Sequence, residues 1–265
     1  MKYSGIDLHS DNCVVVVSDE EDRVVFQKRL PNDLQRIVAA LLPWIQELVG
    51  VVVESTFNWY WLVDGLQAAG FTVHLANTTA IKQYDGLKHS GDEADARYLA
   101  HLLRLGVLRT GTILPKDLRA LRDLARKRMQ LVRSRTAQIL AVENIMARER
   151  GARLSSNQIK RMSMEDLAAV NLSADVSLAV STNLTVIGTL NTQIDLLERR
   201  LHEALNLRSD YVLLTSVPGI GETLATVICL EVGSITRFAQ VGNFASYARC
   251  VVSGNYPASC ADLPT

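Results

Sequence analysis

The feature that most restricts the fold is a long run, residues 116–150, which contains neither glycine nor proline. Its apolar side chains recur at helical spacing, at Leu118, Leu121, Leu124, Met129, Leu131, Val132, Ile139, Leu140 and Ile145. This periodicity predicts one long amphipathic helix, which Gly151 ends. A second helical pattern spans about 175–205. Two long helices joined by a polar segment predict an antiparallel coiled-coil arm.

The same run is strongly basic. It carries ten basic and four acidic side chains, a local net charge of +6 in a chain whose formal net charge is zero. A solvated helix face would explain many of these charges. Their concentration in one segment of a neutral chain nevertheless favours a polyanionic partner such as nucleic acid. The candidate nucleic-acid-binding residues are Arg126, Lys127, Arg128, Arg133 and Arg135.

The first 75 residues follow an α/β pattern. Strands are predicted at Tyr3–Asp7, Asn12–Ser18, Val24–Leu30, Val51–Glu54 and Thr72–Leu75, with helices beginning after Pro31-Asn32-Asp33 and covering Trp59–Ala69. Hairpins followed by βαβ crossovers predict a mixed sheet with covering helices, as in ribonuclease-H-like folds.

Composition excludes several classes of protein. Hydrophobic residues make up 48% and charged residues 21%, which is typical of globular proteins. No apolar run reaches the roughly 18 residues that a membrane-spanning helix needs, and no signal-peptide pattern is present. The four cysteines are scattered and the five histidines form no close pair, so neither a cysteine nor a histidine metal site is expected. We expect a cytoplasmic protein with reduced thiols and no membrane partner.

Four acidic residues occupy unusual positions. Asp7 lies between apolar residues in a predicted buried strand, and Glu54 ends the apolar strand VVVE. Asp92 and Asp95 stand three residues apart at the start of a predicted helix, so they share one face. Taken singly, each acid has an ordinary structural explanation, such as capping a strand end or offsetting a helix dipole.

Taken together, these four carboxylates would repel one another unless cations neutralised them. All-oxygen ligation suits Mg²⁺ or Mn²⁺, and two such ions about 3.5–4 Å apart can stabilise both the attacking and the leaving oxygen of a phosphoryl transfer. The sequence therefore predicts that Asp7, Glu54, Asp92 and Asp95 are catalytic and bind metal.

A glycine turn lies near the C-terminus, in Pro218-Gly219-Ile220-Gly221, between two apolar helical stretches. Backbone N–H groups at such a turn can contact a phosphate, although the pattern alone more often marks only a turn. With its flanks it resembles a helix-hairpin-helix, a motif that binds the DNA backbone. Gly219 and Gly221 are therefore further nucleic-acid-binding candidates.

The segments GIDLHS, VVVESTFNWYW and DEADARYLA, together with VPGIG and FASYARCV, resemble the IS110 family of DEDD-type insertion-sequence transposases. This resemblance implies a RuvC-like catalytic domain at 1–114, a coiled-coil arm at 115–207, and a C-terminal transposase domain at 208–265 that completes the active site. It implies Mg²⁺-dependent cutting and rejoining of element ends and target DNA by homo-oligomers. It also implies a structured guide RNA and a C-terminal serine that attacks a DNA phosphate.

The chain departs from the family pattern after FASYARCV, because Pro257 stands where the serine is expected. Ser253 is the candidate nucleophile, with Ser259 also nearby. A frameshift or truncation near residue 253 would explain the departure, and predicts a frayed C-terminus after about Val251 and no strand transfer. Two alternatives follow from the residues: a structure-selective nuclease that uses metal-activated water, and a nucleic-acid-binding remnant without catalysis.

Overall fold

The computed structural model of the protein describes residues 1–77, 91–151 and 153–250. The chain divides into two compact units, Met1–Lys116 and the part from Asp117 onward. Within the described residues, no helix combines the length and the apolar character that crossing a membrane requires.

A mixed sheet forms the centre of the first unit. Its strands are β1 (Lys2–Leu8), β2 (Asn12–Ser18), β3 (Val24–Pro31), β4 (Leu48–Glu54), β5 (Val73–Ala76) and β6 (Thr110–Gly111). Their spatial order is β3-β2-β1-β4-β5-β6. The first three strands are antiparallel, β1, β4 and β5 are parallel, and β6 is antiparallel to β5. This arrangement confirms the predicted RuvC-like fold class.

Helices cover both faces of this sheet, and they are α1 (Leu34–Leu41), α2 (Tyr60–Ala68) and α3 (Asp92–Arg104). Ile6 and Leu8 of β1 point into the main core, where they pack with residues of α1 and α2. Residues on the opposite face, such as Val14 and Val16, pack against Ala96 of α3. Burial on both faces explains why β2 and β4 are continuous valine runs and do not alternate with polar residues.

Helix α3 lies unusually close to β1. A Cβ atom added to Gly5 would lie 2.0 Å from the carbonyl oxygen of Ala96 and 2.9 Å from the amide nitrogen of Ala100. Both alanines are completely buried. Small residues on both elements therefore let the helix backbone rest on the strand backbone, and they fix how near the start of α3 comes to the end of β1.

The turn between β2 and β3 also holds α3. Asp22 adopts a positive φ of 65° in this turn. Its Oδ2 lies 3.1 Å from Nδ1 of His101, and Nη2 of Arg97 donates to its backbone carbonyl at 3.0 Å. Nε of Arg104 lies 3.8 Å from Oδ1 of the same carboxylate. Three side chains on successive turns of α3 thus contact the same residue of the hairpin turn. These contacts limit rotation of the helix about its axis.

The second unit is helical. Its described helices are α4 (Lys116–Arg150), α5 (Ser156–Arg161), α6 (Met164–Ala169), α7 (Ala174–Leu205), α8 (Ser209–Thr215), α9 (Glu222–Val232) and α10 (Val241–Tyr247). The bounds of α4 and α7 confirm the two predicted long helices.

The long helices α4 and α7 pack in antiparallel orientation. Arg128 pairs with Glu198, and Arg135, one heptad later on α4, pairs with Asn191, one heptad earlier on α7. An apolar cluster that includes Ile139 lies at the end nearer α5, and another that includes Leu201 lies at the end nearer α8. The buried residues of α7 are Val180, Leu184, Ile187, Ile194, Leu201 and Leu205. With Asn191 and Glu198 these positions alternate in steps of four and three, which places them on one face of α7; we call this contact face between α4 and α7 the seam.

The contact between Gly5 and α3 gives the first prediction. We expect Gly5→Ala to lower the free energy of unfolding of the first unit by about 3 kcal/mol, because the backbone cannot move away as a flexible side chain would. Urea unfolding followed by tryptophan fluorescence measures this unit specifically, because all three tryptophans, Trp44, Trp59 and Trp61, lie in it.

Gly111→Ala is the matched control for this measurement. Its added Cβ would meet Leu75 at the ordinary contact distance of 3.7 Å. If both variants unfold at the same urea concentration, the backbone contact does not constrain the fold as described.

Candidate functional site

The carboxyl ends of two parallel strands place Asp7 and Glu54 side by side. Ile6 of β1 is paired with Val53 of β4, and each acid is the next residue along its strand. Asp7 is buried with 4% of its surface exposed, and Glu54 is half-buried. Side chains at this edge of an open α/β sheet commonly form ligand sites.

The N-terminus of α3 supplies the other two predicted acids. Gly91 is the N-cap, and Asp92 and Asp95 both lie in the first turn. The charges of both carboxylates act on Asp7, and that of Asp95 also acts on Glu54. The structure therefore brings all four predicted acids into one electrostatic cluster.

His9 joins this cluster, although sequence analysis did not select it. Its Nε2 lies 3.2 Å from Oδ2 of Asp7 and 3.3 Å from Oδ2 of Asp92. Ligand atoms of Asp7, His9 and Asp92 all lie within 4.8 Å of one another. The signal for His9 was its position two residues after Asp7, because alternate residues of a strand share a face. His9 has no histidine nearby in the sequence, so the spacing of histidines gives no sign of a ligand that stands beside carboxylates.

Burial and crowding change the ionisation of the two strand-end acids. Burial is the main cause that raises the pKa of Glu54 to about 7, and the charge of Asp7 adds to it. Burial also raises the pKa of Asp7, while His9 and a hydrogen bond with Glu54 oppose the rise. The hydrogen bond between the two acids raises the pKa of Glu54 and opposes the rise at Asp7, so Glu54 is its donor and Asp7 its acceptor.

Asp92 is held in its charged form by a different partner. Nη2 of Arg29, on β3, donates to Oδ2 of Asp92 at 2.5 Å, and Nη1 donates to Asn12 at 2.7 Å. The hydrogen bond from Arg29 is the main cause that lowers the pKa of Asp92, and His9 contributes. Arg29 is a second member of the site that sequence analysis missed.

These residues fit a divalent cation on two grounds. Carboxylate oxygens converge at one sheet edge, where burial penalises their uncompensated negative charge. Nε2 of His9 is also buried between two carboxylates, and neither contact has the direction of a well-formed hydrogen bond. Asp7 and Asp92 offer oxygen ligands in a group with His9, and Glu54 and Asp95 stand beside them.

Three of the predicted nucleic-acid-binding arginines donate hydrogen bonds to residues of other helices. Nε and Nη2 of Arg126 donate to the two carboxylate oxygens of Glu231 at 2.6 and 2.7 Å. Arg128 donates to Glu198 at 2.7 Å, and Arg135 donates to Asn191 at 2.7 Å. Arg128 and Arg135 are half-buried in the seam between α4 and α7, so their positions have a structural explanation.

The other two arm candidates lie on the exposed surface of α4. Nζ of Lys127 donates to Gln130 of the same helix, and Arg133 contacts the sulfur of Met129. Both side chains can turn towards a partner without disturbing the packing between helices.

The predicted glycine turn connects α8 to α9. Gly219 has a φ of +90°, in the left-handed region that favours glycine, and Gly221 is the N-cap of α9. The left-handed backbone conformation therefore explains why the first of the two positions is a glycine. Ser253, Ser259 and the predicted fraying after Val251 all fall outside the described residues.

Comparison with known families gives two matches. The family model DEDD_Tnp_IS110, described as a transposase, matches residues 4–149 and so includes all four acids. A second model, described as Transposase IS116/IS110/IS902 family, matches residues 211–255. No curated protein matches the chain significantly.

The seam position of Arg128 gives the second prediction. We expect Arg128→Ala to reduce the free energy of unfolding of the second unit by about 1–2 kcal/mol, because Glu198 loses a charge-assisted hydrogen bond. Lys127→Ala should change it by less than about 0.5 kcal/mol, since that side chain is exposed. Urea unfolding followed by circular dichroism at a helix-sensitive wavelength compares the two, and equal losses would contradict the structural role of Arg128.

Proposed function

The chain belongs to the IS110 family of transposases, and we propose that it performs metal-dependent phosphoryl transfer on DNA at the cluster of Asp7, Glu54, Asp92 and Asp95. The observation that carries the proposal is the meeting of two strand-end acids with the first turn of α3 in a partly buried site.

In this proposal the four acids are ligands that would hold Mg²⁺ or Mn²⁺ beside a DNA phosphate. When bound, such ions stabilise charge on the attacking and leaving oxygens of a phosphoryl transfer. The contribution of the protein is placement, because two strand ends and one helix terminus fix the carboxylates before substrate arrives. Because burial raises the pKa of Glu54 to about 7, binding of a cation by its carboxylate below that pH would release a proton.

The finer parts of this function rest on the family resemblance. They are a structured guide RNA, homo-oligomeric assembly on element ends and target DNA, attack by a serine with Ser253 as the candidate, and action in the cytoplasm. We propose that residues 1–114 carry out catalysis, that residues 115–207 form a coiled-coil arm, and that residues 208–265 perform the remaining transposase functions.

We further propose that the exposed basic face of α4 binds the nucleic-acid backbone. The support is the net charge of +6 over residues 116–150 and the exposure of Lys127 and Arg133. Arg126, Arg128 and Arg135 are carried by the same helix, with hydrogen bonds to Glu231, Glu198 and Asn191, and we propose that they contribute to its positive potential. Gly219 and Gly221 are proposed as a second point of backbone contact.

The third prediction tests the acidic cluster. With labelled element-end DNA, the RNA of the element and Mg²⁺ or Mn²⁺, we expect Asp7→Asn to reduce strand cleavage by about 100-fold or more, because it removes a charge from the site. Glu93→Gln is the matched control, since Glu93 is an exposed acid in the same turn as Asp92. Cleavage by Asp7→Asn at the rate of the unaltered protein would contradict the proposal.

The same reaction separates three chemical classes. A covalent protein–DNA adduct that disappears in Ser253→Ala identifies a recombinase with a serine nucleophile. Cleavage without an adduct identifies a structure-selective nuclease. Tight binding without cleavage in either metal identifies a nucleic-acid-binding protein that lacks catalysis.

The fourth prediction concerns the arm. The affinity of the protein for duplex DNA should fall steeply with salt, and the double change Lys127→Gln and Arg133→Gln should make the logarithmic slope shallower by about 0.9 for each phosphate that is no longer neutralised. Ser134→Ala, at an exposed uncharged position of α4, should leave the slope unchanged. An unchanged slope in the double variant would assign these charges to the solvated face of the helix.

A further inference from the structure

The side chain of His9 is placed where a metal ligand would be. Its Nε2 is inaccessible to solvent and lies between Oδ2 of Asp7 and Oδ2 of Asp92, at 3.2 and 3.3 Å. Both contacts are short enough for a hydrogen bond, but neither has the direction that a well-formed one requires. A nitrogen and two oxygens that lie within 4.8 Å of one another are spaced as ligands of a shared ion are.

The backbone at His9 is also fixed from three directions. Its N–H donates to the carbonyl of Asn12 at 2.9 Å. Its carbonyl accepts from Nδ2 of Asn32 at 3.0 Å and from Nδ2 of Asn58 at 2.8 Å. Asn58 is itself held by the hydroxyl of Thr56 at 2.9 Å. Side chains that follow β3 and precede α2 therefore hold the residue after β1, which is the kind of support that a ligand needs to keep its position.

We propose that Nε2 of His9 is a nitrogen ligand of the cation that Asp7 and Asp92 hold. This inference rests on the proposed metal-dependent function and adds a donor of a different kind to its four acids. The ring would present its Nε2 lone pair to the ion and carry its proton on Nδ1. An imidazole nitrogen favours first-row transition ions over Mg²⁺ more than a carboxylate oxygen does. The site would therefore bind Mn²⁺ more tightly than an all-oxygen site with the same carboxylates.

A competing role for His9 predicts the opposite result. A positively charged ring between Asp7 and Asp92 would act as a counter-ion and would compete with a metal cation for the same carboxylates. Replacing it with an uncharged side chain would then strengthen the binding of both Mn²⁺ and Mg²⁺. Replacing a ligand weakens Mn²⁺ binding and weakens Mg²⁺ binding less. The sign of the change distinguishes the two roles.

The test uses the full chain, with Mn²⁺ as the probe and electron paramagnetic resonance as the readout. The signal of free Mn²⁺, recorded during a titration of the protein, gives the affinity for Mn²⁺. Competition by added Mg²⁺ then gives the affinity for Mg²⁺. Pulsed measurements on the bound ion detect coupling to a nitrogen nucleus of a ligand. His9→Gln is compared with His202→Gln, a matched control because His202 is an exposed histidine of α7, in the second unit, where it contacts Glu222.

We expect bound Mn²⁺ to show nitrogen coupling in the unaltered protein and in His202→Gln, and to lose it in His9→Gln. In His9→Gln, Mn²⁺ affinity should fall by at least about tenfold, and the preference for Mn²⁺ over Mg²⁺ should narrow. Circular dichroism of His9→Gln establishes that the variant is folded, and the coupling in the unaltered protein tests the inference without any variant.

Two different failures are distinguishable. Mn²⁺ that binds and is weakened by Asp7→Asn, but shows no nitrogen coupling, would overturn the role of His9 and leave the acidic metal site intact. Tighter binding of both Mn²⁺ and Mg²⁺ in His9→Gln would also overturn the ligand role of His9, and would show that its ring acts as a counter-ion of the carboxylates. If Mn²⁺ does not bind the unaltered protein, the proposed metal-dependent function fails together with this inference.

Discussion

The contact between the backbones of β1 and α3 determines the geometry of the acidic cluster. Two of the four acids are carried by α3 and one by β1, so the separation of these two elements sets the spacing of their carboxylates. Gly5, Ala96 and Ala100 make that separation as small as backbone atoms permit. Close packing of this kind resists small adjustments, because interior side chains have little free space into which they can move.

Crowding of negative charge is the cost of this closeness, and the protein offsets it in three ways. The raised pKa of Glu54 favours its neutral form, Arg29 donates to Asp92 from the neighbouring hairpin, and His9 lies between Asp7 and Asp92. Each of these arrangements reduces the repulsion between the carboxylates when no ion is bound. A cation entering the site meets groups that are already positioned, so little reorganisation is needed for it to bind.

Much of the first unit follows from the sequence, because its strands and helices differ clearly in periodicity. The four acids are also recognisable, since Asp7 and Glu54 end apolar strands and Asp92 and Asp95 share one helical turn. Arg29 could not be found in this way, because its pairing with Asp92 joins residues 63 positions apart and depends on the order of strands in the sheet. Arg128 and Arg135 resemble surface charges in the sequence, although they occupy seam positions of α4. Periodicity identifies the seam, but it does not determine which charged side chains find a partner across it.

The polar pairs in that seam have a consequence for how the arm can change in length. Arg128 and Arg135 are one heptad apart, as are their partners Asn191 and Glu198 on the antiparallel helix. Adding seven residues to each helix retains both the polar pairing and the apolar clusters. An insertion of one or two residues in either helix would turn an arginine towards solvent and an apolar residue away from its cluster. Viable insertions and deletions in this arm should therefore occur in whole heptads, so that its reach varies in steps of about 10 Å.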